Sequence, residues 1–107
     1  MQAARAGAEK VFGCEMFASW CEVARANVKE NGFEDIIKII NKHSSNLIVK
    51  SDEHPSDYGT FALAFSIDMD CKCDILVSEI LDTALLGEGV LVAVRDAKVV
   101  LCAGYYP

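Results

Sequence analysis

The stretch VFGCEMFASWCEVARANVKENGFEDIIKII, residues 11–40, holds two short apolar runs with a helical pattern between them. Val11-Phe12-Gly13-Cys14 reads as a short buried strand, closed by the acid Glu15. Phe17, Cys21, Ala24 and Val28 then fall on one face of a 3.6-residue period, which predicts a helix from Phe17 to Asn31. Asn31-Gly32 stops it in the usual way. Ile36-Ile37-Lys38-Ile39-Ile40 is β-branched with almost no polar alternation, the pattern of a strand covered on both faces in a parallel sheet.

Working outward, Met1 to Lys10 is alanine-rich and helix-prone, with Gly7 weakening its last turn. Ile75-Leu76-Val77 reads as a further buried strand, followed by Glu79. Val90 to Leu101 supports two readings. Its valines favour a strand, while Arg95, Asp96 and Lys98 on one side suit an amphipathic helix. Ser51 to Asp57 is a polar loop broken by Pro55, and the apolar run from Tyr58 to Ile67 suits an extra strand or hairpin. The order of elements predicts an α/β crossover fold with parallel strands.

The chain has 107 residues, the size of at most one small domain. Ten basic and 16 acidic residues give a net charge of -6. That balance argues against unspecific nucleic-acid binding, which needs Lys and Arg to neutralise phosphates. It suits a cationic partner such as a basic peptide. Apolar residues make up 52% of the chain, enough for a core. The apolar runs fall well short of the ~18 residues of a membrane span, and no segment reads as a signal peptide. Five cysteines, an odd number without CxxC pairs, are expected to be reduced intracellular thiols, mostly filling the core.

Ligands of open parallel sheets sit beyond the carboxyl ends of the strands. Three polar sites fall at such expected ends: Glu15, Ser44-Ser45 and Glu79. An acid ending the second strand of a nucleotide-binding unit accepts hydrogen bonds from ribose hydroxyls, and its two oxygens match a diol. Equally, Glu15 reads as a surface acid favouring the next helix N-terminus. In the nucleotide-binding case the glycine-rich turn lies ~20 residues earlier, which places it and the first strand before Met1. Glu79 and Glu88 bracket a mostly apolar loop, with Gly87 and Gly89 beside the second acid. If that loop turns both carboxylates into one pocket, a cation must join them, and a planar guanidinium with five donors matches the pair. The other reading is two separate solvent-facing acids.

At these residues the chain resembles a known family. Ser78-Glu79 through Glu88-Gly89 is similar to the double-E loop of the protein arginine N-methyltransferases. Asn31-Gly32-Phe33 through Ile39-Ile40-Asn41-Lys42-His43-Ser44 resembles the same family, as does Ala4-Arg5-Ala6-Gly7-Ala8 running into Cys14-Glu15. The resemblance covers nearly the whole chain outside the stretch around Ser51 to Ile67. It implies that residues 1–107 form part of a Rossmann-like, S-adenosylmethionine-dependent methyltransferase domain. The first strand and glycine loop would be missing, and an atypical insertion would lie around residues 51–67. It also implies methyl transfer to arginine side chains, of the monomethylating type. Glu15 would hold the cofactor ribose, with Ser44 and Ser45 beside the adenine. Glu79 and Glu88 would clamp the guanidinium catalytically, and Asp82 would narrow the pocket. The implied partners are arginine-containing proteins or peptides such as histones or RNA-binding proteins, with no direct nucleic acid and no membrane. The implied location is cytoplasmic or nuclear.

The family's threonine-histidine-tryptophan loop and carboxy-terminal β-barrel have no counterpart, so the isolated chain is expected to be inactive. Two other readings stand beside this one. One is a nucleotide-binding piece of a dehydrogenase, which has no use for a converging Glu79 and Glu88. The other is an inactive remnant binding a basic peptide through its acidic loop. His43, His54, Cys71 and Cys73 form no ligand set, so no metal is expected. Trp20 reads as a core anchor in preference to an adenine-stacking ring.

Overall fold

The structure is a computed structural model that describes residues 1–50, 67–80, 87 and 89–98. The chain divides into two compact units, Met1–His43 and Ser44–Pro107.

The first unit runs α1 (Gln2–Arg5), β1 (Val11–Cys14), α2 (Ala18–Glu30) and β2 (Ile37–Ile40). The two strands pair in parallel, with Val11 opposite Ile37 and Cys14 opposite Ile40. A parallel pair cannot be joined by a tight turn, and α2 supplies the crossover. This is the strand–helix–strand order read from residues 11–40. Helix α2 ends where Asn31-Gly32 predicted. Asn31 caps it with an Nδ2 bond to Asn27 O at 2.8 Å, and Gly32 takes φ 71°, a left-handed turn that side chains rarely adopt.

The core of this unit is Ala4, Val28 and Ile37, with Val11, Phe33, Ile36 and Ile39 packed against them. Cys21 is fully buried. Of the predicted helical face, Cys21 and Val28 are buried and Ala24 half-buried, but Phe17 is 59% exposed. Phe17 is the residue before the first helical turn, in extended conformation, so the helical period does not govern it.

The far side of β2 is partly capped. The Arg25 guanidinium on α2 donates to Ile39 O from Nε at 3.3 Å and from Nη2 at 3.0 Å. The Ile37 N–H donates back to Phe33 O at 2.8 Å. Val11 N–H to Ile36 O and Glu15 N–H to Ile40 O show that the even-numbered residues of β2 face β1. The groups on Ile37 and Ile39 therefore face away from it.

The second unit begins with a 3-10 turn over Ser44–Asn46. Val49 and Met69 form an isolated parallel bridge, flanked by Lys50 N–H to Met69 O at 2.9 Å and Asp68 N–H to Ile48 O at 2.9 Å. The Asp68 side chain turns back and accepts the Ile48 N–H on Oδ2 at 2.9 Å. Asp68 is only 7% exposed. Helix α3 spans Val90–Asp96, so the helical reading of the segment from Val90 prevails over the strand. Met69, Leu47 and Ala97 are buried in this unit.

One expected strand does not form. Ile75-Leu76-Val77 is irregular, with Ile75 80% and Val77 86% exposed. An all-apolar strand needs paired neighbours and cover on both faces, and no strand pairs with it among the described residues. The insertion around residues 51–67 lies outside the described residues, apart from the exposed Ile67.

Candidate functional site

Glu15 is the first residue beyond β1, as expected of an acid at a strand's carboxyl end. Its N–H continues the ladder to Ile40 O at 3.0 Å. Its carbonyl accepts Asn41 Nδ2 at 2.9 Å and the buried Cys21 Sγ at 3.3 Å. Its carboxylate Oε1 accepts the Phe17 N–H at 2.8 Å. The side chain thus faces the start of α2, whose free N–H groups and positive dipole end favour an anion. Among the described residues Phe17 is the carboxylate's one hydrogen-bond donor, leaving Oε2 available to a hydroxyl pair. Oε1 keeps a second lone pair beside the Phe17 bond, so the two acceptor oxygens still fit the paired donors of a ribose diol.

Beside Glu15 lies an open hollow of about 450 Å³ lined by Gly13, Cys14, Glu15, Trp20, Val23 and Ile39, among others. Gly13 leaves its floor open: a Cβ there would meet Ile39 Cδ1 at 3.1 Å. Trp20 is 63% exposed and forms part of the rim, so it is not the core anchor expected. The i, i+3, i+7 spacing that puts Trp20, Val23 and Asn27 on one side of α2 turns them away from the buried Cys21 and Val28, with the half-buried Ala24 at the boundary. Packing around the sulfur pushes the Cys14 thiol above its ordinary value, with the Glu15 carboxylate and Cys21 adding in the same direction. A raised pKa lowers the thiolate fraction, so Cys14 is a poor nucleophile.

The other candidates lie in the second unit. Ser44 and Ser45 sit in the 3-10 turn that follows β2, half-buried and exposed respectively. Glu79 is exposed in the irregular segment after Val77, so it does not end a strand. Asp82 and Glu88 lie outside the described residues. Gly89, which follows Glu88, adopts φ 74° and caps α3. Among the described residues no three His, Cys, Asp or Glu side chains gather to hold a metal ion. No described helix is long and apolar enough to cross a membrane.

Asn41 was not singled out from the sequence. The register contained the signal: Cys14 opposite Ile40 puts Glu15 and Asn41 side by side. Cys21, read as a core filler, also turns out to bond the Glu15 carbonyl.

No family model matches the chain. Among curated proteins, it is 41% identical over 91 residues to protein arginine N-methyltransferase 7 of Gallus gallus, covering 85% of this chain and 11% of that protein. The same protein of Rattus norvegicus is 38% identical over 97 residues, covering 91% and 12%. The arginine N(omega)-methyltransferase of Streptomyces achromogenes subsp. streptozoticus is 40% identical over 98 residues, covering 92% and 23%. The chain thus spans between about a tenth and a quarter of the length of these relatives. Identity of this order along nearly all of the chain makes it a stretch of the protein arginine N-methyltransferase family, with a bacterial arginine N(omega)-methyltransferase as a further relative.

Proposed function

We propose that the chain forms part of a catalytic domain that methylates arginine side chains using S-adenosylmethionine. The observation that carries this reading is Glu15: a carboxylate just past a parallel strand, turned to a helix start beside a hollow, with one oxygen free for a diol. Glu15 binds the ribose hydroxyls, and Ser44 and Ser45 lie beside the adenine. Glu79 and Glu88 grip the substrate guanidinium, each carboxylate pairing with its N–H donors, while Asp82 narrows the pocket; the product is monomethylarginine.

When bound at Glu15, Ser44 and Ser45, S-adenosylmethionine would supply an electrophilic methyl group for the arginine nitrogen. The protein's work is placement and charge. Glu79 and Glu88 orient the guanidinium so that one nitrogen's electron pair points at the methyl carbon. One of the two carboxylates accepts the proton released from that nitrogen. The substrates are arginine-bearing proteins or peptides such as histones or RNA-binding proteins, in the cytoplasm or nucleus.

The test is Glu88→Gln in the complete protein that carries this stretch, assayed by mass spectrometry on an arginine-rich peptide. Turnover is expected to fall by at least about a hundredfold, the usual cost of removing an electrostatic or proton-accepting group. Unchanged turnover eliminates the clamp. Peptide binding with no uptake of S-adenosylhomocysteine points instead to a non-enzymatic acidic docking module.

A further inference from the structure

We propose that Asn41 is the positioning residue for the Glu15 carboxylate, a role that rests on the reading of Glu15 as the diol-binding acid. Its side-chain amide donates to two successive backbone carbonyls at once, Glu15 O and Met16 O, both at 2.9 Å. Two neighbouring carbonyls that converge on one point repel each other unless a group with two donors sits between them. An amide NH₂ is such a group. Both partners being acceptors also fixes which end of the amide faces them.

The geometry explains why the clamp controls the carboxylate and not only the loop. Glu15 and Met16 are the residues through which the chain leaves β1 and enters α2. Tying both carbonyls to the end of β2 sets the direction in which the Glu15 side chain departs, and it sets where the Phe17 N–H arrives. That N–H is the donor that holds Oε1 at 2.8 Å. Without the clamp, Cys21 Sγ at 3.3 Å is left as the side-chain donor to this turn, through a weak S–H bond to a single carbonyl. Glu15 and Met16 then gain freedom, and the carboxylate must be ordered anew each time a diol binds. Asn41 touches no ligand in this account; it acts through Glu15.

The test uses the whole chain, labelled with ¹⁵N. The first readout needs no ligand. In Glu15→Gln the Phe17 amide proton loses its carboxylate partner and its chemical shift moves upfield. Asn41→Ala and the near-isosteric Asn41→Asp are expected to move the same resonance in the same direction, while the amides of Ile37 to Ile40 stay in place and report an intact sheet. A Phe17 amide unmoved in both Asn41 variants overturns the proposal.

The second readout compares adenosine with 2′,3′-dideoxyadenosine by titration of the complete protein that carries this stretch, with and without each substitution. The wild-type protein is expected to prefer adenosine by about tenfold, the worth of one strong charge-assisted hydrogen bond. Glu15→Gln abolishes that preference, and Asn41→Ala reduces it by about three- to tenfold. A preference that survives in Glu15→Gln, or no binding of either nucleoside, sinks the diol reading of Glu15 while the Phe17 amide still decides the clamp. A preference lost in Glu15→Gln but fully kept in Asn41→Ala sinks the positioning role alone.

Discussion

Asp68→Ala would remove the carboxylate that accepts the Ile48 N–H at 2.9 Å. Asp68 is 7% exposed, so water cannot readily take over the bond. A hydrogen bond to a charged group contributes about 1.5–3 kcal/mol net, and an abandoned part-buried donor costs a similar amount. The two overlap rather than add, giving an expected local loss of about 2–3 kcal/mol. Asp68→Asn keeps an acceptor oxygen at the same reach, so the Ile48 bond loses charge assistance worth about 1 kcal/mol. Hydrogen exchange at the Ile48 amide suits this test because it reads the second unit locally. Exchange should speed up roughly 30- to 150-fold in Asp68→Ala and about fivefold in Asp68→Asn. If both variants exchange Ile48 at the wild-type rate, the carboxylate does not hold the Ile48–Lys50 segment to Met69.

Two further expectations concern the first unit. Gly32→Ala places a side chain at φ 71° with nothing within 4 Å of the new Cβ, so its cost is purely conformational, about 1–2 kcal/mol; thermal unfolding should show a clearly lowered midpoint, and an unchanged one refutes the left-handed turn. Because the folded state holds the Cys14 proton more tightly than the unfolded chain, the unfolded chain ionises first. Stability from this group is intact below about pH 8.5 and declines as pH rises through the folded value. Urea midpoints measured across that range should slope downward, and Cys14→Ser, which does not titrate there, should flatten the slope.

The first unit was legible because its signals are local. The Phe17–Asn31 period, the Asn31-Gly32 stop and the Ile36–Ile40 run each depend on neighbours in sequence, and β1, α2 and β2 follow within a residue or so. Ile75-Leu76-Val77 carried an equally apolar signal, yet whether such a run pairs depends on partners that its own residues do not encode. The Asp68–Ile48 bond joins residues 20 positions apart through a side chain that looks like any surface acid. In the site, Glu15 was found by its place after β1. The clamp from Asn41 and the bond from Cys21 arise only once the strand register is set, and Trp20 was misplaced because an aromatic on a helix carries no mark of which face is covered. Whether Glu79 and Glu88 converge depends on residues 81–86 and 88, outside the described residues.

The two margins of the β1–β2 ribbon are chemically unequal. Along β2 the outward Ile37 N–H is spent on Phe33 and the outward Ile39 carbonyl on Arg25. Phe12 and Cys14 make no comparable outward backbone bonds among the described residues. An incoming polypeptide would have to break existing bonds before it could template on β2, and among the described residues it meets no such bond along the outer edge of β1. Sheet growth in this region, in correct assembly or in fibril formation, is therefore biased to one direction, and the guanidinium of Arg25 acts as a gatekeeper against the other.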